Sequence, residues 1–383
     1  MAEKHELKPG QRPRLRHLGI EIGTMPIGQH NAITDVPGVR VGHATVIHGE
    51  GPLVVGQGPA RTGVTAIHPH EGSAFTSMVP AAIAVLNGAG EMTGRSQVDE
   101  YGMIETPILI TNTLSVGAVH RGATEWLTEH EESLRNSDFV IPVIAETFDG
   151  FLNDVAGQHV TTEHVYAALD NARGGPVAEG CVGGGTGMML FRFKGGIGTS
   201  SRLVQLDNHT YTVGVLVQGN FGARADLLVD GVPVGREIDD LLPVRGEPEA
   251  GRPQPDGSII VVIATDAPLT DRQLLRLCKR GMLGLGRVGS TARQSSGDIL
   301  IAFSNAPENR FDRFNREPLV NNVRVNDERI DDLFQATIEA TSEAVLNALV
   351  AAETTVGRDG NTAYALPHDR LREVMRKYGR LRG

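Results

Sequence analysis

The sequence predicts an α/β protein in which large central sheets are covered by helices. Patterns typical of buried strands alternate along the chain with helical patterns, glycine-rich turns separate them, and no sustained repeat occurs. With 383 residues, the chain can bury a large core in one big domain or two. Its 47 glycines, about 12% of the chain against a typical ~7%, indicate many tight turns and close backbone contacts.

Charge and cysteine content narrow the function classes. The chain has 36 basic and 46 acidic residues, a formal net charge of −10, and no basic stripe, so we do not expect a nucleic-acid partner. Cys181 and Cys278 are too few for a disulfide framework and are typical of a reducing compartment. Residues 1–16 lack the apolar segment of a signal peptide, and no apolar run reaches the length of a membrane span. We therefore predict a cytoplasmic protein with no membrane partner.

Patterns before residue 180 predict most of the first half of the fold. In order, they are a strand–turn–strand over 31–43, an apolar helix or strand over 81–86 ending in a glycine-rich turn, a strand over 107–113, a helix over 115–135, a buried strand over 139–145, and a helix over 161–173. Pro142 favours a sheet edge, and Thr161 can cap its helix. His68-Pro69-His70 could suggest a metal, but no Cys or Glu cluster completes a ligand set, so we predict a loop and no metal or cofactor.

Glycine-rich turns at 180–187 and 194–200 flank a predicted strand over 188–193. They invite a phosphate-binding interpretation, yet no Gly-Lys-Ser/Thr ending is present, and Met188 stands where the dinucleotide fingerprint has its third glycine. We therefore favour backbone that approaches a ligand or another strand closely. A strand over 211–218 is predicted to end in a polar tip at 219–222.

The second half begins with a connector over 245–257, which is rich in proline and glycine and is predicted to be exposed and mobile. Next come a buried strand over 259–263, a helix from a capping box at Thr270 to about residue 285, a buried strand over 299–303, and helices over 331–353 and 367–378.

Ser258 lies where the connector meets a buried strand, directly after Gly257. A hydroxyl at a strand start is held rigidly, and the glycine can adopt strained backbone angles. This arrangement suits a serine that attacks the preceding peptide bond, because cleavage would free an α-amine of pKa ~7.7–8.0 that can act as its general base. The alternative is an ordinary strand start, since Ser after Gly is common turn chemistry.

Acidic and aromatic residues, including Glu146 and Phe148, follow the predicted strand over 139–145. A peptide with a free N-terminus carries a cation, and a carboxylate such as Glu146 would select for it. A plain solvated loop is the alternative interpretation.

Five motifs together resemble the family of L-aminopeptidase/D-esterase-amidases and β-peptidyl aminopeptidases, and they occur in the family's order. They are Asp-Gly-Ser-Ile-Ile-Val-Val-Ile-Ala-Thr-Asp-Ala-Pro at 256–268, the glycine-rich segment at 180–200, Gln-Gly-Asn-Phe-Gly at 218–222, Glu-Thr-Phe-Asp-Gly at 146–150, and Ser-Gly-Asp-Ile at 296–299. The resemblance spans about residues 31 to 355. It implies a four-layer αββα sandwich, similar to but topologically distinct from the N-terminal-nucleophile hydrolases. It also implies one domain over 1–383 that cleaves itself into chains 1–257 and 258–383.

The same resemblance implies roles for individual residues. Ser258 matches the nucleophile, and Ser296 and Asp298 match the hydroxyl–acid pair that orients and tunes it. Asp298 stands where the best-known members carry Glu, which is one methylene longer. Asn220 matches the amide that helps to bind the oxyanion, a role that needs a preorganised donor.

Substrate recognition is implied for Glu146, which matches the carboxylate that pairs with the substrate's amino group. Phe148 stands where some members have Tyr. The expected substrates are small peptides, amides or esters with a free amino group, and the expected assembly is a homo-oligomer, a tetramer of αβ units.

Two other functions fit parts of the pattern. Acetyl-transferring relatives such as the ornithine acetyltransferases have a similar fold, but they use a Thr nucleophile after a different motif, so Ser258 argues against them. An unprocessed oligomeric binding protein of the same fold is the second alternative, and an intact single band on a denaturing gel would favour it.

Overall fold

The computed structural model describes residues 13–246 and 257–381. Within these ranges, strands and α-helices follow one another in the order β1 Arg40–His48, β2 Ala60–His68, β3 Ser77–Gly88, α1 Arg95–Tyr101, β4 Met103–Ile104, β5 Ile108–Asn112, α2 Val116–His130, β6 Val143–Thr147, α3 Thr162–Asp170, β7 Met189–Leu190, β8 Phe193–Lys194, β9 Gly196–Leu206, β10 His209–Phe221, α4 Val234–Glu237, β11 Gly257–Thr265, α5 Asp271–Arg287, β12 Gly297–Ser304, β13 Phe311–Asp312, α6 Asp331–Val350, β14 Thr355–Val356, β15 Thr362–Ala363 and α7 His368–Lys377.

Two sheets form the centre of the protein. The small sheet has the strand order β1-β2-β5-β6, and the large sheet has the order β13-β3-β12-β11-β10-β9, with β4 also paired to β3. The pairs β5–β6 and β11–β12 are parallel, and the other pairs in both sheets are antiparallel. β6 lies at an edge of the small sheet, as Pro142 predicts.

The sheets and helices stack in four layers. Helices α2 and α3 pack on the outer face of the small sheet, and α5 and α6 pack on the outer face of the large sheet. A separate apolar core fills the space between the two sheets. The predicted four-layer αββα sandwich is therefore confirmed.

Both faces of strand β11 are buried, and its residues 259–264 are all apolar. Ile259, Val261 and Ile263 belong to the core on the helix side. Ile260 and Val262 belong to the core between the sheets. Each fully buried Val or Ile side chain contributes ~1.5–3 kcal/mol, so β11 is a fixed platform for the residue at its start.

The prediction of one strand over 188–193 is wrong. β7 and β8 are two short strands joined by a turn at Phe191 and Arg192, whose φ angles are 48° and 61°. The prediction of a turn over 194–200 is also wrong, since β9 begins at Gly196. Glycine there serves close packing: a Cβ added at Gly198 would lie 2.0 Å from the Ala344 carbonyl oxygen of α6.

Other differences concern the bounds of elements. A short 3-10 turn, Ile33–Asp35, replaces the first strand predicted within 31–43, and residues 139–142 lie outside β6. β10 runs on to Phe221 because residues 219–221 pair with β11. The predicted strands at 107–113, 259–263 and 299–303 and the predicted helices after residue 100 are confirmed within a few residues at most ends.

Some predictions fall on residues that the structure does not describe. Most of the connector over 245–257, namely residues 247–256, and residues 1–12 of the N-terminal segment lie outside the described residues. Among the helices of residues 13–246 and 257–381, none has the length and apolar character needed to cross a membrane.

Candidate active site

Ser258 is the second residue of β11 and sits between two neighbouring strands. It lies opposite Asn220 of β10 and beside Gly297 of β12 in the parallel pair. Its exposed fraction is 4%. Gly297 stands between Ser296 and Asp298. Asn220, Ser296 and Asp298 therefore come together around Ser258 in the large sheet.

The Ser258 hydroxyl has two backbone partners. Its Oγ donates to the Gly257 carbonyl oxygen at 2.8 Å and accepts from the Gly297 N–H at 3.1 Å. The hydroxyl thus lies alongside the carbonyl group of the bond that the sequence predicts to be cut. In this geometry Ser296 does not contact Ser258 directly; the main chain of Gly297 makes the contact.

Gly257 has to be glycine for two reasons. Its φ is +99°, in a region that residues with a Cβ rarely adopt. A Cβ at this position would also lie 1.9 Å from the Asn220 carbonyl oxygen. The strained residue therefore stands directly before the nucleophile candidate.

Ser296 and Asp298 form a buried hydroxyl–acid pair at the start of β12. The Ser296 Oγ donates to Asp298 Oδ1 at 2.6 Å, and the exposed fractions of the two residues are 2% and 0%. Oδ2 of Asp298 is buried and has no close hydrogen-bond partner among the described residues. Burial raises the pKa of Asp298, while the Ser296 hydroxyl and the Ile259 amide act in the opposite direction.

The Asn220 side chain is fixed by hydrogen bonds at both ends of its amide. Its Nδ2 donates to the Phe148 carbonyl oxygen at 2.7 Å, and its Oδ1 accepts from the Met189 N–H at 2.8 Å. An amide has two N–H groups, so Asn220 retains a second donor in a set orientation. Phe148 contributes its main-chain carbonyl to this arrangement, and its ring cannot donate a hydrogen bond.

Glu146 lies near the carboxyl end of β6 and is 3% exposed. Its Oε1 accepts from the Glu91 N–H at 3.0 Å, and its Oε2 accepts from the Thr113 hydroxyl. Burial raises the pKa of Glu146, and these two donors partly offset that effect. No cationic side chain of the described residues forms an ion pair with this carboxylate, so a substrate ammonium would be its first cationic partner.

Gly90 lies between the Glu146 carboxylate and the start of β12, the strand that pairs beside Ser258. A Cβ added at Gly90 would lie 3.0 Å from Glu146 Oε1 and 3.0 Å from the Gly297 Cα. Glu146, on the small sheet, therefore faces the start of β12, on the large sheet, across one glycine. Glu146 therefore lies close to Gly297, whose N–H binds the Ser258 hydroxyl.

An open pocket with a volume of about 110 Å³ adjoins Gly257 and Asn220. Its wall combines apolar and aromatic side chains with polar groups that include two arginines, and among the lining residues are Phe148, Phe151, Met189, Phe221, Arg192 and Arg293. A pocket of this chemistry beside the reacting carbonyl can hold part of a small substrate.

Sequence reasoning missed three groups of the site. The Gly297 N–H and the Glu91 N–H are main-chain donors, which carry no residue-type signal. Thr113 follows β5, and the parallel pairing of β5 with β6 brings the two strand ends together. The polar residues that end the strand predicted over 107–113 were the available signal for Thr113.

Within residues 13–246 and 257–381, no group of three or more His, Cys, Asp or Glu side chains is placed to hold a metal ion. His43 is partly buried and His68 is buried, and desolvation lowers the pKa of each to about 4. Both imidazoles are thus neutral and bonded inside the fold.

Comparison with known proteins identifies one family. The family description "Peptidase family S58" matches residues 31–363. The β-peptidyl aminopeptidase BapA of Sphingosinicella xenopeptidilytica is 48% identical over 371 residues, covering 95% of this chain and 91% of that protein.

Solved structures agree with this match. The L-aminopeptidase D-Ala-esterase/amidase of Ochrobactrum anthropi, described as a prototype for the serine aminopeptidases and a new variant among the Ntn hydrolase fold, is 43% identical, with a TM-score of 0.89 and coverage of 97% of this chain and 100% of that chain. A β-aminopeptidase from a Burkholderia species is 44% identical, with a TM-score of 0.85 and coverage of 96% and 99%.

Proposed function

This chain belongs to peptidase family S58 and is a peptide hydrolase of the aminopeptidase type, and from that premise we propose that Ser258, freed as a chain N-terminus, is its nucleophile. The observation that carries the proposal is the position of Ser258 Oγ, 2.8 Å from the oxygen of the preceding Gly257 carbonyl. Cleavage of Gly257–Ser258 would divide residues 1–383 into chains 1–257 and 258–383.

The cleavage proceeds by transfer of an acyl group from nitrogen to oxygen. Ser258 Oγ attacks the Gly257 carbonyl carbon, a C–O bond forms, the C–N bond breaks, and the hydroxyl proton passes to the departing Ser258 nitrogen. Water then hydrolyses the ester, which restores the hydroxyl and leaves a carboxylate on Gly257 and an α-amine on Ser258.

In turnover, the new α-amine is the general base. With a pKa near ~7.7–8.0, it is partly neutral at physiological pH and can take the Oγ proton as Oγ attacks a substrate carbonyl. The ammonium that forms needs a counter-charge. Oδ2 of Asp298, buried and without a close partner among the described residues, supports Asp298 as that counter-charge. Ser296 holds the other carboxylate oxygen in place.

Asn220 and Glu146 bind the substrate on either side of this centre. The second N–H of Asn220 is the donor for the oxyanion, and its orientation before the reaction avoids reorganisation during it. Glu146 binds the substrate ammonium, since a buried carboxylate next to the site gains most from a cationic partner.

The substrates we propose are short peptides, amides or esters with a free amino group, hydrolysed without a cofactor. The similar proteins named above are described as acting on β-peptides, L-amino acid peptides or D-alanine esters and amides. Acetyl transfer of the ornithine acetyltransferase type is not favoured by the family match.

A matched pair of substrates tests the proposed function. L-alanyl-p-nitroanilide and N-acetyl-L-alanyl-p-nitroanilide differ only at the amino group, which acetylation converts from a cation into a larger, neutral amide. We expect hydrolysis of the first and at least a hundredfold lower kcat/KM for the second. Equal rates on both substrates would contradict the role of Glu146. A β-alanyl p-nitroanilide is tested beside them, and failure to hydrolyse any of the three substrates would contradict the proposed function.

We also propose a homo-oligomer in the cytoplasm. Residues 314–323 expose several apolar side chains that a neighbouring copy could cover: Phe314, Leu319, Val320 and Val323, of which Leu319 is 88% exposed. Cys181 and Cys278 are both free thiols, which suits a reducing compartment. Light scattering on the purified protein gives the assembly mass, and a monomer would contradict the oligomer.

A further inference from the structure

We propose that Arg192, supported by Arg293, forms an anion-binding subsite that holds a substrate carboxylate beside the reacting carbonyl. This inference rests on the proposed function. Both arginines line the pocket next to Gly257. The carboxylate can come from the C-terminus of a dipeptide or from an acidic side chain, and both share the planar geometry that a guanidinium binds through two hydrogen bonds.

The backbone at Arg192 is strained. Phe191 and Arg192 form the two-residue connection between β7 and β8, with φ of 48° and 61°. A two-residue hairpin with both φ positive normally carries Asn-Gly or a similar pair, and a bulky residue at such an angle is unfavourable. Strain of this kind persists where the surrounding structure enforces it, and it clusters at ligand-binding sites.

A buried arginine enforces the turn. Arg224 Nε donates to the Phe191 carbonyl oxygen at 3.0 Å, and one terminal NH₂ donates to the Arg192 carbonyl oxygen at 2.8 Å. The Phe191 N–H donates to the Phe221 carbonyl oxygen at 2.6 Å. The Phe191 ring packs on Gly222, where an added Cβ would lie 2.5 Å away. These contacts fix the main chain of Arg192 while its side chain stays exposed at the pocket.

The pocket carries an uncompensated positive charge among the described residues. Arg293 forms an ion pair with Asp226 at 3.2 Å, so its charge is balanced. Arg192 forms no ion pair with a described carboxylate, and none of the pocket-lining residues is acidic. Arg192 is therefore the primary anion-binding group, and Arg293 assists through the N–H groups that Asp226 does not use.

The opposite charges at the site define a substrate length. Glu146 would hold the ammonium of the first residue, and Arg192 would hold a carboxylate close to the bond that is cut. A dipeptide satisfies both at once, whereas a longer peptide has its terminal carboxylate farther away. We expect the protein to prefer dipeptides with a free carboxylate over the corresponding dipeptide amides.

The test compares kcat/KM for L-alanyl-L-alanine and L-alanyl-L-alaninamide, and separately for L-aspartyl and L-asparaginyl p-nitroanilides, so that the two sources of carboxylate are distinguished. Arg192→Asn removes the charge with a residue that tolerates positive φ. Arg192→Lys keeps a point charge. Arg287→Asn, at an exposed arginine outside the pocket lining, is the matched control.

Native protein should prefer the carboxylate member of at least one pair. Arg192→Asn should reduce that preference about tenfold or more, through a higher KM for the carboxylate substrate alone, as expected for loss of a charge-assisted hydrogen bond. Arg192→Lys should restore part of it, Arg293→Gln should have a smaller effect, and Arg287→Asn should have none. Because Asn suits the turn, the melting temperature of Arg192→Asn should equal or exceed that of the native protein.

If Arg192→Asn keeps the native preference for carboxylate substrates, the substrate subsite is wrong. The same result is expected if Arg192 binds only the Gly257 carboxylate that processing forms, so that case also overturns the proposal. If the native protein hydrolyses neither these dipeptide substrates nor any of the aminoacyl anilides, the β-alanyl anilide included, the proposed function fails instead. Calorimetric binding of L-alanyl-L-alanine against its amide then decides the subsite by itself: equal affinity for both in native protein would refute it.

Discussion

The two sheets contribute opposite strand ends to the site. In the large sheet, the parallel pair β11–β12 contributes its amino-terminal starts, which carry Ser258 and Asp298. In the small sheet, the parallel pair β5–β6 contributes its carboxyl-terminal ends, which carry Thr113 and Glu146. The two ends face each other across Gly90.

In our proposal, the two ends have separate tasks. At the strand starts, the reacting hydroxyl is bound by main-chain groups of Gly257 and Gly297, so its position follows from sheet register. At the strand ends, the buried Glu146 carboxylate forms no ion pair with a cationic side chain of the described residues. Substitutions at the starts of β11 and β12 should therefore slow both self-cleavage and turnover. Substitutions at the ends of β5 and β6 should slow turnover alone.

The largest expected effect concerns the strand starts. Ser296→Ala removes the hydroxyl that holds Asp298 Oδ1, and we expect turnover of an aminoacyl anilide to fall by ~10²–10⁴. Ser304→Ala is the matched control, because Ser304 is also buried on β12 and donates to a carbonyl, that of Ala267, at 2.6 Å. Both variants should stay folded by circular dichroism. Near-native turnover in Ser296→Ala, with Asp298→Asn equally active, would remove this pair from the site.

A smaller effect is expected at the strand ends. Glu146→Gln keeps the size of the side chain but removes its charge, so kcat/KM for free-amine substrates should fall ~10–100-fold while self-cleavage remains intact. Thr113→Val keeps the Glu146 charge and removes one of its hydrogen bonds, so its effect should be a few-fold. Loss of self-cleavage in Glu146→Gln, seen on a denaturing gel, would show that the two ends do not act separately.

The smallest effect is one of stability and depends on pH. Because burial raises the pKa of Asp298, the uncleaved folded chain keeps the Asp298 proton to a higher pH than the unfolded chain does. An Asp in the unfolded chain has a pKa of ~3.9. Stability of the uncleaved chain should thus decrease as pH rises from ~3.9 through the folded pKa of Asp298. In a Ser258→Ala background, Asp298→Asn should remove this loss, and the Asn variant should be the more stable of the two near neutral pH.

Urea unfolding at acid and neutral pH measures this difference, which should be smallest below pH ~4, where Asp298 is protonated in both states. A constant difference between the two variants at all pH values would show that Asp298 is not buried as a neutral acid before cleavage.

Sequence patterns predicted the central strands because burial on two faces demands an unbroken β-branched run, as at residues 259–263. The same reasoning predicted a buried strand over 299–303, and the structure pairs that strand in parallel beside the first. Family resemblance supplied the candidate residues, and the fold brings Ser258, Asn220, Ser296 and Asp298 together.

The remaining features depend on tertiary contacts. The turn at Phe191 and Arg192 lacks the Asn-Gly signal of its hairpin type. The hydrogen bonds from Arg224 and to the Phe221 carbonyl, together with the packing on Gly222, enforce it. The contact between Gly297 N–H and Ser258 is a main-chain bond, set by strand register rather than by residue type.

The central claim is that Ser258 becomes a chain N-terminus, and intact mass spectrometry of the denatured native protein tests it most directly. We predict two chains, residues 1–257 and 258–383, the second beginning Ser-Ile-Ile-Val by N-terminal sequencing, and a single uncleaved, inactive chain for Ser258→Ala. A native protein that hydrolyses aminoacyl anilides as one intact 40.9 kDa chain, or a Ser258→Ala variant that still divides at this bond, would contradict the account.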